Sequence, residues 1–138
     1  MHMRGEPKTM QVEPHYHDVV SEVLAELAEA VAFATAAGVE RLIVDPGIGF
    51  GKRLQDNLCL LKNLPALRGL GCPVLVGLSR KSFLGAVTGA PVEERLAATV
   101  AGNTLAILGG AHIVRVHDVR EAVQAAAVAR AVLGAGCR

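Results

Sequence analysis

Short apolar runs alternate along this chain with Ala/Leu-rich stretches of helical period. Leu42-Ile43-Val44 is closed by Asp45-Pro46-Gly47, Pro73 to Leu78 by Ser79-Arg80-Lys81-Ser82, and His112 to Val116 by His117-Asp118. Runs this short and this rich in β-branched residues suit parallel strands covered on both faces. Between them, residues 16–37 place Val19, Val23, Leu27, Ala30, Val31 and Ala34 on one stripe, and Gly38 ends the helix. A second helix is predicted over 56–67 and a third over 92–108, where Leu96, Val100, Thr104 and Ile107 or Leu108 repeat behind Pro91. The last helix is predicted to carry Val123, Ala127, Ala131 and Val132 inward, with Asp118 as its cap. The order is αβαβαβα, and Met1-His2-Met3 resembles the end of one more strand.

Alternation of this kind predicts a parallel sheet. In a doubly wound sheet, ligand groups gather at one switch point. Here every strand in turn ends in chemically capable residues: Met3-Arg4, Asp45, Ser79 to Ser82, then Arg115 and His117. That recurrence predicts a TIM-type (β/α)8 barrel, whose site is built from all its strand-to-helix loops. A full barrel takes eight units and about 250 residues, so 138 residues have room for about four. The expectation is a single domain over 1–138, a partial barrel. Its unpaired edges and open inner face predict self-association or a partner.

Composition narrows the function. Lys+Arg 14 against Asp+Glu 13 leaves a net charge of +1, too little for general nucleic-acid affinity. No apolar run approaches the roughly 18 residues of a membrane span, and no apolar core follows Arg4 as a secretory signal would require. Cys59, Cys72 and Cys137 form neither a CxxC pair nor a zinc spacing, so reduced thiols and a cytoplasmic location are expected.

The segment Asp45-Pro46-Gly47-Ile48-Gly49-Phe50-Gly51-Lys52 alternates glycine with apolar residues. Lys52 stands where a dinucleotide fingerprint needs its last glycine, and Pro46 and Arg53 break a Walker pattern. The loop could be a surface turn, with Asp45 bonding its own backbone. However, Phe50 is one of three Phe in a chain with one Tyr and no Trp. A carboxylate at the floor and a ring at the rim suit a flat nitrogenous heterocycle. Ser79-Arg80-Lys81-Ser82 reads as a solvated basic turn or as an anion site at a helix start. Arg115 and His117, two apart on a strand, point to one face, where they can hold a phosphate or diphosphate. His15 and His17 lack a third metal ligand nearby, Glu93-Glu94-Arg95 reads as helix-start acid, and His2 and His112 carry no argument.

Three segments, Asp45 to Lys52, Gly77-Leu-Ser-Arg-Lys-Ser-Phe-Leu-Gly85 and Arg115-Val-His-Asp118, together resemble dihydropteroate synthase in order and spacing. Met1 to Gly5, with Pro7 and Met10, resembles that family's fifth-strand motif, so the likeness covers the carboxyl-terminal half of the barrel. The resemblance implies condensation of 6-hydroxymethyl-7,8-dihydropterin diphosphate with p-aminobenzoate to 7,8-dihydropteroate in folate biosynthesis. It implies Asp45 on the pterin's amino-pyrimidine edge, Lys81 on its oxygen and ring nitrogen, and Met3 and Gly77 lining that slot. Phe50 would border the pterin and aminobenzoate pockets, Ser82, with Arg80 nearby, would meet the aminobenzoate carboxylate, and Ser79 is counted among the substrate-binding residues. Arg115 and His117 would hold the diphosphate, making Lys81, Arg115 and His117 the catalytic set. Magnesium would ride on the diphosphate, with no metal ligand within this chain, and a homodimer would pack through the late helices. The family's first four strands have no counterpart here, so the chain is expected not to catalyse alone. Two other readings stand beside this one: a pterin-binding methyltransferase barrel acting on methyltetrahydrofolate, and a truncated subunit kept for association.

Overall fold

The computed structural model describes residues 1–10 and 12–136; Cys137 lies outside them. Helix α1 spans Val19–Ala36. Asp18 begins it by accepting the backbone N–H groups of Val20 and Ser21, satisfying donors that a helix start leaves orphaned. The predicted stripe is real at its N-terminal end, where Val19, Val23 and Leu27 are buried, and thins out at Ala30, which is exposed. Helix α2, Leu54–Lys62, starts earlier and stops sooner than the predicted 56–67. Pro65 has no N–H to continue it, and the chain tightens into a 3-10 turn over Leu64–Leu70.

Strand β1 is Leu75–Gly77 and strand β2 is Ile113–Arg115, paired in parallel with Leu75 opposite Ile113 and Gly77 opposite Arg115. The predicted strand at Leu42 to Val44 is reduced to one bridge, Val44 to Val74, made by Val44 N–H to Pro73 O at 2.9 Å and Leu75 N–H to Val44 O at 2.8 Å. Beyond it the first residues join the same side, through His2 N–H to Asp45 O at 2.8 Å. Along β1, Val74, Val76 and Leu78 are buried, while Leu75 and Gly77 are half-buried on the other face. That second face is open: Ile43 is 54% and Ile113 38% exposed, so the expected cover on both faces holds on the helix side only.

Between β1 and β2 the chain makes two helices, α3 over Ser82–Thr88 and α4 over Leu96–Leu108. Gly89 in the left-handed region and Pro91 end α3. A 3-10 turn at Val92–Glu94 and the bend at Arg95 delay α4, which was expected to begin at Val92. The face of α4 that is buried is Thr99, Gly102, Asn103 and Ala106, not the predicted Leu96–Val100–Thr104 row. Helix α5, Val119–Gly134, is likewise rotated from expectation. It buries Ala122, Ala125 and Ala129 against α4, while Val123 and Val132 are 62% and 61% exposed. Alanine permits the close approach of the two helices; the bulkier valines stand outward. Asp118 precedes α5 without capping it, because its carboxylate is taken by Arg80.

One apolar core joins Val23 and Leu27 of α1, Leu60 of α2, Val74, Val76 and Leu78 around β1, and Ala106 of α4. The helices therefore back the strands, and the strand ends 45–52, 79–82 and 115–118 emerge on one rim. No helix among the described residues is long and apolar enough to cross a membrane, and Cys59 and Cys72 are free thiols.

Candidate active site

The glycine segment 45–52 is a tightly bonded loop. Asp45 Oδ1 accepts Gly47 N–H at 2.7 Å, Phe50 N–H reaches Gly47 O at 3.0 Å, and Asn57 Oδ1 accepts Gly49 N–H at 2.6 Å. Tyr16 donates its buried hydroxyl to Gly51 O at 3.0 Å. Gly47 has φ +65°, and a Cβ there would lie 1.8 Å from His2 O. The expected surface turn with local bonds is thus half right: Asp45 does bond its own backbone, but Gly47, Ile48, Gly51 and Lys52 are buried.

Lys81, arriving from the end of β1, closes over this loop. Its Nζ donates to Ile48 O and sits 4.5 Å from the centre of the Phe50 ring. Burial pulls the Lys81 ammonium below the usual lysine range; Asp45 partly restores it and Arg115 lowers it further. Those two influences show that Asp45, Lys81 and Arg115 share one electrostatic neighbourhood although they are remote in sequence. Gly77, Ser79, Lys81, Arg115, Val116 and His117 line a cleft of about 90 Å³.

His117 is held by Ser79. Its Nδ1 is 2.8 Å from Ser79 Oγ, and its backbone N–H donates to the same oxygen at 3.2 Å. In the tautomer in which the Ser79 hydroxyl donates to Nδ1, Nε2 carries the ring proton. Ser79 is buried and so engaged. Both bonds serve to orient His117.

Arg80 follows Ser79 in the loop after β1. Its guanidinium turns to Asp118, with Nε to Oδ2 at 3.1 Å and Nη2 to Oδ1 at 2.5 Å. Its backbone is in the left-handed region at φ 57°. Thr99 Oγ1 accepts Arg80 N–H at 3.0 Å and Arg95 Nη1 donates to Arg80 O at 3.0 Å, which holds that conformation. Ser82 is exposed at the first turn of α3 and Met3 is 36% exposed; neither lines the cleft. Arg4, at the rim by sequence, is spent on Glu22, at 2.8 Å, and on Glu26 of α1, and lies over the Tyr16 ring. This pairing holds the Glu22 carboxyl down to about 2.

Lys52 and His2 escaped the sequence reading. Lys52 Nζ donates to Gly47 O and Phe50 O, both at 3.0 Å, and lies 2.9 Å from His2 Nδ1. His2 Nε2 is 3.0 Å from Glu26 Oε2. Burial outweighs the attraction of Asp45 and Glu26 and brings the Lys52 ammonium down to about 8. Between about 8 and the ordinary 10.5 the unfolded chain therefore holds more protons than the folded one. Lys52's share of stability rises with pH across that window and is lost as pH falls through 8. Urea unfolding from about pH 7.5 to about pH 10.5 is expected to show wild type gaining on Lys52→Met as pH rises; a constant difference would contradict the burial.

A cavity of about 610 Å³ between Val31, Arg41, Ile43 and Cys72 lies at the opposite ends of the strands and gathers none of these groups. On the rim, Lys81 joins the 45–52 loop and its Phe50 ring to the small cleft lined by Arg115 and His117. These groups are gathered on a partial (β/α)8 barrel. The sequence pattern of the family described as pterin binding enzyme matches residues 1–117, and the chain belongs to that family.

The chain is 46% identical over 137 residues to the dihydropteroate synthase of Escherichia coli K12, covering 98% of this chain and 49% of that protein. A dihydropteroate synthase structure from Stenotrophomonas maltophilia superposes with a TM-score of 0.94 at 45% identity, covering 99% of this chain and 52% of the other. One from Thermus thermophilus in complex with 4-aminobenzoate gives 0.92 at 43% identity, covering 96% and 55%. The chain spans about half the length of the curated relatives it matches.

Proposed function

We propose that this chain forms the pterin- and diphosphate-binding half of a dihydropteroate synthase in the cytoplasm. The observation that carries the reading is the Lys81 ammonium. It joins the Asp45 loop to the neighbouring cleft of Arg115 and His117, so the two parts of a pterin diphosphate would have adjoining sites. In this reading Asp45, with one oxygen on Gly47 N–H, uses the other for the amino edge of the pterin. Lys81 meets the pterin oxygen and ring nitrogen, and Phe50 covers the ring.

The reaction breaks the C–O bond between the pterin methylene and the diphosphate, whose oxygen keeps the electron pair. The amine nitrogen of p-aminobenzoate forms the new C–N bond and loses its proton. Arg115 and the Nε2–H of His117, aimed at the leaving oxygens, stabilise the charge that develops there. No protein nucleophile takes part. Ser82, at the α3 start, remains the proposed contact for the aminobenzoate carboxylate, with Met3 and Gly77 along the pterin slot. Magnesium belongs to the same proposal as a companion of the diphosphate. Among the described residues no three His, Cys, Asp or Glu side chains gather as a metal site. A homodimer is proposed through the outward valines of α5 and the groove of about 400 Å³ that Val100, Thr104, Ala125 and Val128 line with α4.

Calorimetric titration tests the assignment. The folded chain is expected to bind both 6-hydroxymethyl-7,8-dihydropterin and diphosphate. Arg115→Ala should weaken diphosphate by about tenfold or more and leave the pterin within about twofold. A folded chain that binds neither would favour an association subunit instead.

A further inference from the structure

Lys52 is an unusual residue to bury. It is 4% exposed, yet it lies in no cleft with the groups that face a substrate. A buried ammonium is costly unless its protons are met, and here they are met almost wholly by the loop itself: Gly47 O, Phe50 O and the ring nitrogen of His2. The two carbonyls flank the turn that carries Ile48 and Gly49. From the other side Asn57, buried in α2, accepts Gly49 N–H and donates to Lys52 O at 3.3 Å and Arg53 O at 2.9 Å. The loop is thus tied by an ammonium within and an amide beneath. Through His2, whose ring meets Glu26, it is anchored to α1.

These ties have a consequence for ligands. Lys81 donates to Ile48 O, an atom inside the tied turn, and Phe50 stands over the Lys81 ammonium. The place of both Lys81 and Phe50 therefore depends on where residues 47–50 lie. Arg115 ends β2 and His117 follows it, and His117 is held by Ser79 rather than by that loop.

We propose that Lys52, with Asn57, is a positioning residue: it fixes the 45–51 loop so that Asp45, Phe50 and Lys81 present one preformed pterin slot, and it has no part in holding the diphosphate. This rests on the pterin reading above. Lys52 touches no substrate; it acts through the carbonyls of Gly47 and Phe50. A misplacement of about 1 Å at a binding group is enough to cost about tenfold to a hundredfold in productive binding.

The test is a split between ligands, which a general loss of packing would not produce. Lys52→Met keeps the stem and removes the donors; Asn57→Ala removes the lower tie and is the second variant should the first fail to fold. Each folded variant is titrated with 6-hydroxymethyl-7,8-dihydropterin and, separately, with inorganic diphosphate, and amide exchange is followed at residues 47–51. The expected result is an affinity for the pterin lower by about tenfold or more, diphosphate within about twofold, and faster exchange confined to the loop. Unchanged pterin affinity, or pterin and diphosphate weakening together, overturns the proposal. If wild type itself binds no pterin, the pterin reading has failed, and loop exchange decides the tie alone: acceleration in residues 47–51 supports it, unchanged exchange refutes it.

Discussion

Lys81→Met is expected to abolish most of the pterin affinity while leaving the chain folded. Truncating one partner of a buried, hydrogen-bonded charged contact costs about 2–5 kcal/mol, or about 30-fold upward in dissociation constant. Methionine keeps the stem that packs against Gly49, where an added Cβ would lie 3.1 Å from Lys81 Cδ. It loses the bond to Ile48 O and the ammonium over the Phe50 ring. Removing a cation that burial already disfavours offsets part of the lost hydrogen bond, so stability should move by no more than about 1 kcal/mol. Fluorescence titration with the dihydropterin, alongside thermal unfolding, separates the two effects. A variant that binds the pterin as wild type does would remove Lys81 from the site and with it the bridge between the two halves of the proposed ligand.

Much of this arrangement was legible before any coordinates. Asp45, Lys81, Arg115 and His117 each follow an apolar run, and parallel strand–helix units bring such positions to one rim whatever the details of the helices. The alternation rule also held for Arg115 and His117, which line the same cleft. What failed did so for physical reasons. In α5 ten of the sixteen residues are alanine or valine, so several stripes look equally apolar. The one chosen by packing is Ala122, Ala125 and Ala129, because small side chains let α4 approach. In α4 the buried face includes Thr99 and Asn103, which no count of apolar positions would select. Thr99 is inward and bonds the strained Arg80 backbone, an interaction between residues with no local signal to join them.

Charge was the other blind spot. Lys52 entered the sequence reading only as the residue that breaks a glycine fingerprint; its three acceptors belong to residues 47, 50 and 2, and only folding collects them. Arg80 and Asp118 were assigned separately, one to an anion and one to a helix cap. They satisfy each other across 38 positions. The shared cause is that long polar side chains choose partners by tertiary proximity, whereas periodicity reports only which face of an element is apolar. A signal for Lys52 did exist in the glycines beside it: a loop with no side chains of its own to pack must be filled by something, and the adjacent long side chain is at hand.

That filling makes Gly47 the position with the least tolerance for change. Its φ of +65° alone costs an L-residue about 1–2 kcal/mol. A Cβ would also lie 1.8 Å from His2 O and 2.9 Å from His2 C, both backbone atoms. His2 cannot simply withdraw, since its N–H is bonded to Asp45 O and its ring stands between Lys52 and Glu26. Relieving such a clash in a packed interior adds about 1–3 kcal/mol, so Gly47→Ala is expected to lose about 3 kcal/mol or more, a large share of a typical domain's 5–15. Gly38→Ala is the control: φ is +86°, but nothing lies within 4 Å of the added atom, and only the backbone strain of about 1–2 kcal/mol should appear. Urea unfolding of the two variants side by side measures the difference. Equal losses would mean that the first strand segment does not press on the loop, and then neither His2 nor Lys52 could hold Asp45 where the pterin edge requires it. The larger loss at Gly47, accompanied by weaker pterin binding because Gly47 N–H is the group that orients the Asp45 carboxylate, would tie the stability of the loop to the recognition it performs.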